Sequence, residues 1–268
     1  MTVASPIERE WRRHTPRQRL ARFALYFGLV AACVVSLRTV QFVPEFLYDA
    51  PEQMADLLRR MWPIEWAHYP KGVHEALIET LHIATLGTLL AIVMAVPLGL
   101  LAANNITRHV GINYLAKLLL VSSRSVNSLV WALLFVAIFG PGALAGTMAI
   151  AFRSIGFVGK LFGEAMEEAR QGPIEALRSA GAPWGSIYLK GYWPQVEPAF
   201  WAIALFRWDI SVRESAVLGL VGAGGIGMAI DSAMNLFQWE RVALMLVAIF
   251  AVVILAEIAV TFLRKKII

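Results

Sequence analysis

Residues 80–103 are 24 consecutive positions whose only ionisable side chain is that of His82. Coiled as a helix, such a run extends about 36 Å, more than the ~30 Å hydrocarbon core of a bilayer. A helix also satisfies its backbone N–H and C=O groups internally, which lipid demands and water does not. Five more apolar runs lie at 23–37, 118–139, 143–162, 200–220 and 242–263. With 58% hydrophobic and 16% charged residues and a mean hydropathy of +0.62, the chain lies outside soluble-domain usage. The expectation is an all-α integral membrane protein of six transmembrane helices, and 268 residues leave no room for a second globular domain. Cys33, the single cysteine, lies in the first run and has no intrachain disulfide partner.

Arg9, Arg12, Arg13, Arg17, Arg19 and Arg22 precede that first run, as a basic region precedes a secretory leader. No small-x-small cleavage site is evident, and residues 38–43 can lengthen the helix to spanning size, so the segment is read as a retained anchor. Lysine and arginine are kept preferentially on the cytoplasmic side. With six spans and both termini inside, 17 of the 24 basic residues fall in inner segments, five of those 17 in 153–190. Arg207 and Arg213 fall within the fifth span, and the outer segments hold only five. Residues 38–79 carry Glu45, Asp49, Glu52, Asp56, Glu65, Glu75 and Glu79 against four basic residues, as a translocated loop can. Within them Met54, Leu57, Leu58 and Met61 recur at helical spacing, which predicts a short amphipathic helix over 51–61 at the outer interface. The pI near 9.6 thus reflects topology, because no basic face with interleaved aromatics stands apart from the spans. Gly140-Pro141-Gly142 predicts a tight hairpin between the third and fourth spans.

Between the fourth and fifth spans lies a polar signature, Glu175-Ala176-Leu177-Arg178-Ser179-Ala180-Gly181, followed by Pro194. Residues 174–180 favour a short helix, Gly181 can take the left-handed conformation that ends it, and Pro183 suits the first turn of the next. Leu177, Trp184, Ile187 and Tyr188 give this helix-turn-helix an apolar side, while Glu175 and Arg178 set charges beside the turn. An interfacial loop with no partner would need the same two sides. The pattern resembles the cytoplasmic loop of binding-protein-dependent ABC importer permeases, E-A-A, three residues, Gly, nine residues, then I-x-L-P. It matches at Glu175, Ala176, Gly181 and Pro194 and departs at Leu177, Gly191 and Trp193. Val217-Leu218-Gly219-Leu220-Val221, Leu129-Val130-Trp131-Ala132-Leu133 and Gly159-Lys160-Leu161-Phe162 resemble permeases of the phosphonate transporter family, so the resemblance covers residues 76–262.

That resemblance implies a type I ABC importer permease-like bundle. Residues 1–75 would supply a cytoplasmic N-terminus, the first transmembrane helix and a periplasmic loop, and 76–268 the permease core with a coupling loop over 164–198. It implies a homodimer in the bacterial inner membrane with a translocation path at the subunit interface, two ATPase subunits below and a solute-binding protein above. The loop would dock into the ATPase through Glu175, Ala176, Arg178, Gly181, Trp184 and Pro194. ATP and Mg would belong to those partner chains, with no cofactor or metal on this one. The implied substrate is an organophosphonate or a related phosphorus oxyanion such as phosphite; phosphate or an amino acid are the alternatives among small solutes. Many importer permeases carry a proline near the pair Arg124-Ser125, but this chain has Val126-Asn127, so a helix kink is not carried over from the family there.

Charge inside the spans is where substrate chemistry would show. Arg207, Asp209, Arg213 and Glu214 share the fifth run, and a charge at mid-bilayer costs at least ~2.5–3.5 kcal/mol, so each must face protein, water or another of the four. Asp209 and Arg213, spaced i,i+4, can pair. Two roles stand open, a neutralised packing network and the lining of an anion path. Arg124, among Ser122, Ser123, Ser125, Asn127 and Ser128, either lines the same path or snorkels to the interface.

Gly222-Ala223-Gly224-Gly225-Ile226-Gly227 matches G-x-G-x-x-G. The dinucleotide fingerprint needs a buried strand leading into it, whereas an apolar helix precedes this one, so a glycine-rich bend or close helix contact is expected. No G-x-x-x-x-G-K-[ST] occurs, and ATP hydrolysis by a P-loop must belong to another chain. His14, His68, His74, His82 and His109 lack metal-ligand spacing, and no serine sits in G-x-S-x-G. A gated channel and an intramembrane enzyme are the competing classes. The channel would pass solute unaided in liposomes, the enzyme would turn over alone in detergent, and a permease subunit would do neither without its partners.

Overall fold

A computed structural model describes residues 15–40 and 45–267, which are helical almost throughout. Arg9, Arg12 and Arg13, and residues 41–43 by which the first span was expected to lengthen, lie outside the described residues. The chain forms two compact units, Met1–Asp56 and Leu57–Ile268.

In the first unit, α1 (Pro16–Thr39) opens on a capping box. The Gln18 N–H donates to Thr15 Oγ1 at 3.4 Å, and the Thr15 N–H donates to Gln18 Oε1 at 3.1 Å. Pro16 fills the first helical position, where its missing N–H costs nothing. The helix therefore starts ahead of the apolar run and takes Arg17, Arg19 and Arg22 into its first turns. α2 (Glu45–Arg60), which runs on past Asp56, covers the amphipathic stretch expected over 51–61 up to Arg60, but starts upstream of it and carries Pro51 inside.

The second unit centres on α3 (Val73–Ala102) and α6 (Ala143–Glu167). Around them lie α4 (Val110–Ser125), α5 (Ser128–Phe139), α7 (Gln171–Ser179), α8 (Trp184–Ile187), α9 (Trp193–Leu218), α10 (Ile226–Asn235) and α11 (Trp239–Ile267). The central pair approaches closely because glycines meet across it. A Cβ on Gly99 would stand 2.8 Å from the Gly159 carbonyl oxygen, and one on Gly163 would stand 3.0 Å from that of Gly99. In lipid, burying apolar surface between helices gains little, so close van der Waals packing at small residues carries the association. Gly159, first residue of the string Gly159-Lys160-Leu161-Phe162, thus serves packing.

Among the described residues, five helical segments are long and apolar enough to cross a membrane, among them α1, α3, α6 and α11, with α9 in the remaining one. The third expected span differs: α4 and α5 meet at 91° and make a sixth crossing only as a bent pair. Val126 is extended (φ −95°, ψ 139°), and the Asn127 side chain accepts the Leu129 N–H at 3.1 Å, capping α5. The expected single run over 118–139 is thus two helices broken at Val126-Asn127. Proline is one way to break a helix, and an asparagine that starts a new one at its N-cap is another. The Gly140-Pro141-Gly142 hairpin forms as expected, with φ of 83° and 143° at its two glycines.

α10 is too short and too polar at its end to stand out among the apolar runs. It is held by the glycine-rich string, where Gly222, Gly224 and Gly225 take φ of 86°, 83° and 71°. The Ile226 N–H then reaches Thr80 Oγ1 on α3 at 2.8 Å, and the Gly142 N–H reaches the Gly222 carbonyl at 2.9 Å. The string is both a bend and a close contact, and it leaves a helix, not a strand.

Candidate functional site

Three arginines from three helices line one cavity: the exposed Arg124 at the end of α4, the partly buried Arg153 midway along α6 and the buried Arg207 on α9. Arg207 is 1% exposed, so its charge must be answered locally. Its Nε donates to Ser154 Oγ at 2.6 Å and its Nη2 to Glu214 Oε2 at 2.7 Å. The other Glu214 oxygen accepts from Arg153 Nη1, so one carboxylate serves two guanidiniums. The Phe157 ring lies 5.9 Å from the Arg207 guanidinium carbon, where its π-face adds attraction. Arg153 Nε is buried and has no hydrogen-bond partner. The three arginines, Glu214 and Phe157, with Val121, Ser125 and Ile210, line a cavity of 460 Å³. Three guanidiniums against one carboxylate leave two positive charges uncompensated there.

Of the six residues expected along a path, Arg124, Arg207 and Glu214 share this cavity. Asp209 and Arg213 form the expected i,i+4 ion pair but sit elsewhere on α9, Asp209 buried and Arg213 about half exposed, and neither lines the cavity. Asn127 caps α5 instead. Arg153 was counted with the cytoplasmic residues, and α6 puts it at mid-helix. The signal was available, since residue 153 is central in the apolar run 143–162.

At the far end of α6 lies the signature loop. α7 ends in a Schellman turn: the Ala182 N–H donates to the Leu177 carbonyl and the Gly181 N–H to the Arg178 carbonyl, both at 3.1 Å. Gly181 takes φ +71°, the left-handed value expected for it. Pro183 is the N-cap of α8 rather than part of its first turn. Ile174 is fully buried against Phe162, Met166, Ile187 and Phe200, which pins α7 to α6 and α9. The departures from the motif have physical roles. Gly191 leaves room for Leu177 and Ile174, whose carbons would stand 3.2 and 3.4 Å from a Cβ there, and Trp193 packs 5.4 Å from the Phe200 ring. Gln195, unremarked in the sequence, ties the start of α7 to α9, accepting the Arg170 N–H at 3.0 Å and donating to the Gly191 carbonyl at 2.7 Å.

What this loop leaves outside is equally specific. Glu175, Ala176, Arg178, Gly181, Trp184 and Pro194 are all exposed. Trp184 belongs to the outer surface rather than the loop's apolar underside, 61% exposed and stacked 5.7 Å from Tyr188. Among the described residues, no hydrogen bond or ion pair is made by the side chains of Glu175 and Arg178. A five-residue π-helical stretch, Tyr188–Tyr192, joins α8 to α9 without a break.

A multi-helix membrane bundle with paired charges in its middle and an exposed turned helix at one end has the fold of type I ABC importer permeases. An amino acid ABC transporter crystallised with histidines superposes with a TM-score of 0.64 at 18% identity, over 75% of this chain and 96% of that one. A bacterial ABC transporter involved in import of the acidic polysaccharide alginate superposes with a TM-score of 0.60 at 17% identity, over 93% and 98%. The chain belongs to the family of binding-protein-dependent transport system inner membrane components, which its residues 95–268 match. It is therefore a multi-pass, non-catalytic transport component of an inner membrane. Among its relatives, the phosphate-import permease protein PhnE of Mycolicibacterium smegmatis is 40% identical over 83% of this chain, which spans only 42% of that protein's length. The phosphite transport system permease protein PtxC of Stutzerimonas stutzeri is 34% identical over 92% of this chain and 89% of its own.

Proposed function

We propose that this chain is the permease subunit of an ATP-driven importer for a phosphonate or a related phosphorus oxyanion. The observation that carries the reading is the 34% identity to a phosphite transport permease over nearly the full length of both chains. The cavity lined by Arg124, Arg153 and Arg207 supports it, because a bundle that must keep charge out of lipid retains three guanidiniums where two would need no counter-ion but a passing anion. In this reading two copies form a homodimer with the path between them, a solute-binding protein delivers substrate from outside, and two ATPase chains carry ATP and Mg. Residues 1–75 supply a cytoplasmic N-terminus, the first transmembrane helix and a periplasmic loop, and 76–268 form the permease core. The exposed Glu175, Ala176, Arg178, Gly181, Trp184 and Pro194 of the loop 164–198 dock on the ATPase, and its closure rocks the spans between inward-open and outward-open states.

The test is reconstitution with a candidate ATPase and a candidate solute-binding protein. Uptake of radiolabelled methylphosphonate or phosphite into liposomes is expected only with all partners and ATP. Uptake of phosphate or an amino acid in preference would replace the substrate, and unaided flux would replace the mechanism with a channel. Orientation has its own check: reporter fusions are expected to place residue 60 outside and residues 12, 180 and 266 inside, and an external report at 180 would refute ATPase docking there.

A further inference from the structure

The arginine cavity holds charge and donors beyond what its packing uses. Glu214 divides its two oxygens between Arg153 and Arg207. Arg153 Nε is buried without a partner, and among the described residues Arg124 makes no hydrogen bond or ion pair. A guanidinium offers five N–H donors in a fixed fork suited to tetrahedral oxyanions, so the exposed Arg124 brings unused donors, and the lining as a whole two unanswered positive charges, to a single space. Beyond Val121 and Arg124 lies a second cavity, of 290 Å³, which these two residues share as a wall. Its other charges cancel: Lys117 and Lys160 face Glu164 and Glu167, with Lys160 and Glu164 paired at 3.2 Å. Lys117 and Arg124 on α4, like Arg153 and Lys160 on α6, are two helical turns apart, about 10.5 Å along each axis.

We propose that the first cavity is an oxyanion station in which Glu214 is the resident counter-ion. An entering phosphorus oxyanion takes over the N–H donors of Arg153 and Arg207 that Glu214 holds in the empty site, and Arg124 supplies a third guanidinium. It leaves past Arg124 into the second cavity, where the excess charge falls from two to the one that Arg124 itself carries. Glu214 then closes back on the two arginines behind it. Arg153 becomes a ligand for the substrate and Glu214 a competitor that sets its release. The inference rests on the reading of the chain as a permease for such anions.

The experiment titrates the assembled permease–ATPase complex in nanodiscs, without the solute-binding protein, with methylphosphonate, phosphite and sulfate by calorimetry. R153Q is expected to weaken binding by about tenfold or more, and E214Q to strengthen it by about tenfold, since one removes a donor and the other a competing anion. In reconstituted uptake E214Q is expected to lower both KM and the maximal rate, because release slows. An ion-pair network that serves packing alone changes both variants in the same direction, and parallel losses would overturn the proposal. The double variant R153Q/E214Q keeps Arg124 and Arg207 uncompensated and is expected to bind within about threefold of wild type. Loss of binding by this variant in a folded complex would overturn the proposal even where the single variants do not assemble. Opposite effects of the single variants on sulfate binding, in a transporter that imports no phosphorus oxyanion, would uphold the station and refute the substrate reading. Import of methylphosphonate with both variants weakened alike would do the reverse.

Discussion

The charges of the central cavity and those of the α7 turn lie on one chain under opposite rules. Arg207 is buried, and its partners Ser154 and Glu214 come from α6 and α9 themselves. Glu175 and Arg178 are exposed and, among the described residues, have no side-chain partner. In the interior a charge has to be answered by groups on its own or a neighbouring helix or by a ligand, because lipid offers none. On the turn, water answers the charges until another protein does, so their geometry is set by the backbone that presents them. Substitutions in the first region should therefore damage the subunit, and substitutions in the second should damage only its association.

The largest effect is expected from Arg207→Ala, which strands Glu214 beside a single remaining guanidinium. Breaking a buried pair by removing one partner costs about 3–5 kcal/mol, and thermal unfolding of the purified complex in detergent should show it as a large fall in Tm. A shift below about 1 kcal/mol would erase the contrast between the regions. Next comes Glu175→Ala. Loss of a charge-assisted contact weakens ATPase binding by about 1.5–3 kcal/mol, roughly 10- to 150-fold, with the subunit's own stability changed by less than about 0.5 kcal/mol. Co-purification and substrate-stimulated ATP hydrolysis measure the first, and unfolding of the lone subunit measures the second. Gly181→Val acts on presentation: a β-branched residue in the left-handed region costs about 1–2 kcal/mol, and the Schellman turn should open. Reduced ATPase retention with normal insertion is expected, and wild-type retention together with wild-type stimulation would move the docking element elsewhere. The smallest effect, about 1 kcal/mol from the lost cap, is expected for Asn127→Ala, read by the same unfolding assay. A larger fall would mean that the α4–α5 bend also supports the arginine cavity.

The two regions were not equally legible. The turn is written in local chemistry, with Gly181 at the left-handed position and Ile174 and Leu177 on the inner side, and local rules recover it almost residue by residue. The cavity is written in contacts between residues 29 to 83 positions apart, from Arg124 to Arg153 and Arg207, which no spacing along the chain announces. Asp209 and Arg213 looked like members because they are neighbours in sequence, yet 100° per residue carries them to other faces of α9. Arg153 looked like a loop charge because orientation counts treat arginine as a marker of sides, although it sits among apolar residues on both flanks. The bend at Val126-Asn127 is hidden in the sequence for a related reason, since the residue there is a helix starter rather than a helix breaker.

The unbroken run from α8 through the π-helical stretch into α9 makes the exposed turn and the buried charges parts of one lever. Arg207 lies 14 residues beyond Trp193, about 21 Å along a helix rising 1.5 Å per residue. A tilt of about 10° imposed at the Trp193 end would swing the Arg207 guanidinium by about 4 Å relative to a fixed α6, more than the reach of a hydrogen bond. Ser154 and Arg153 stand on α6, whereas Arg207 and Glu214 ride together on α9. Such a swing would leave the Arg207–Glu214 pair intact and part both from α6. A push on the outside of the protein would thereby be converted into the separation of one ion pair at its centre.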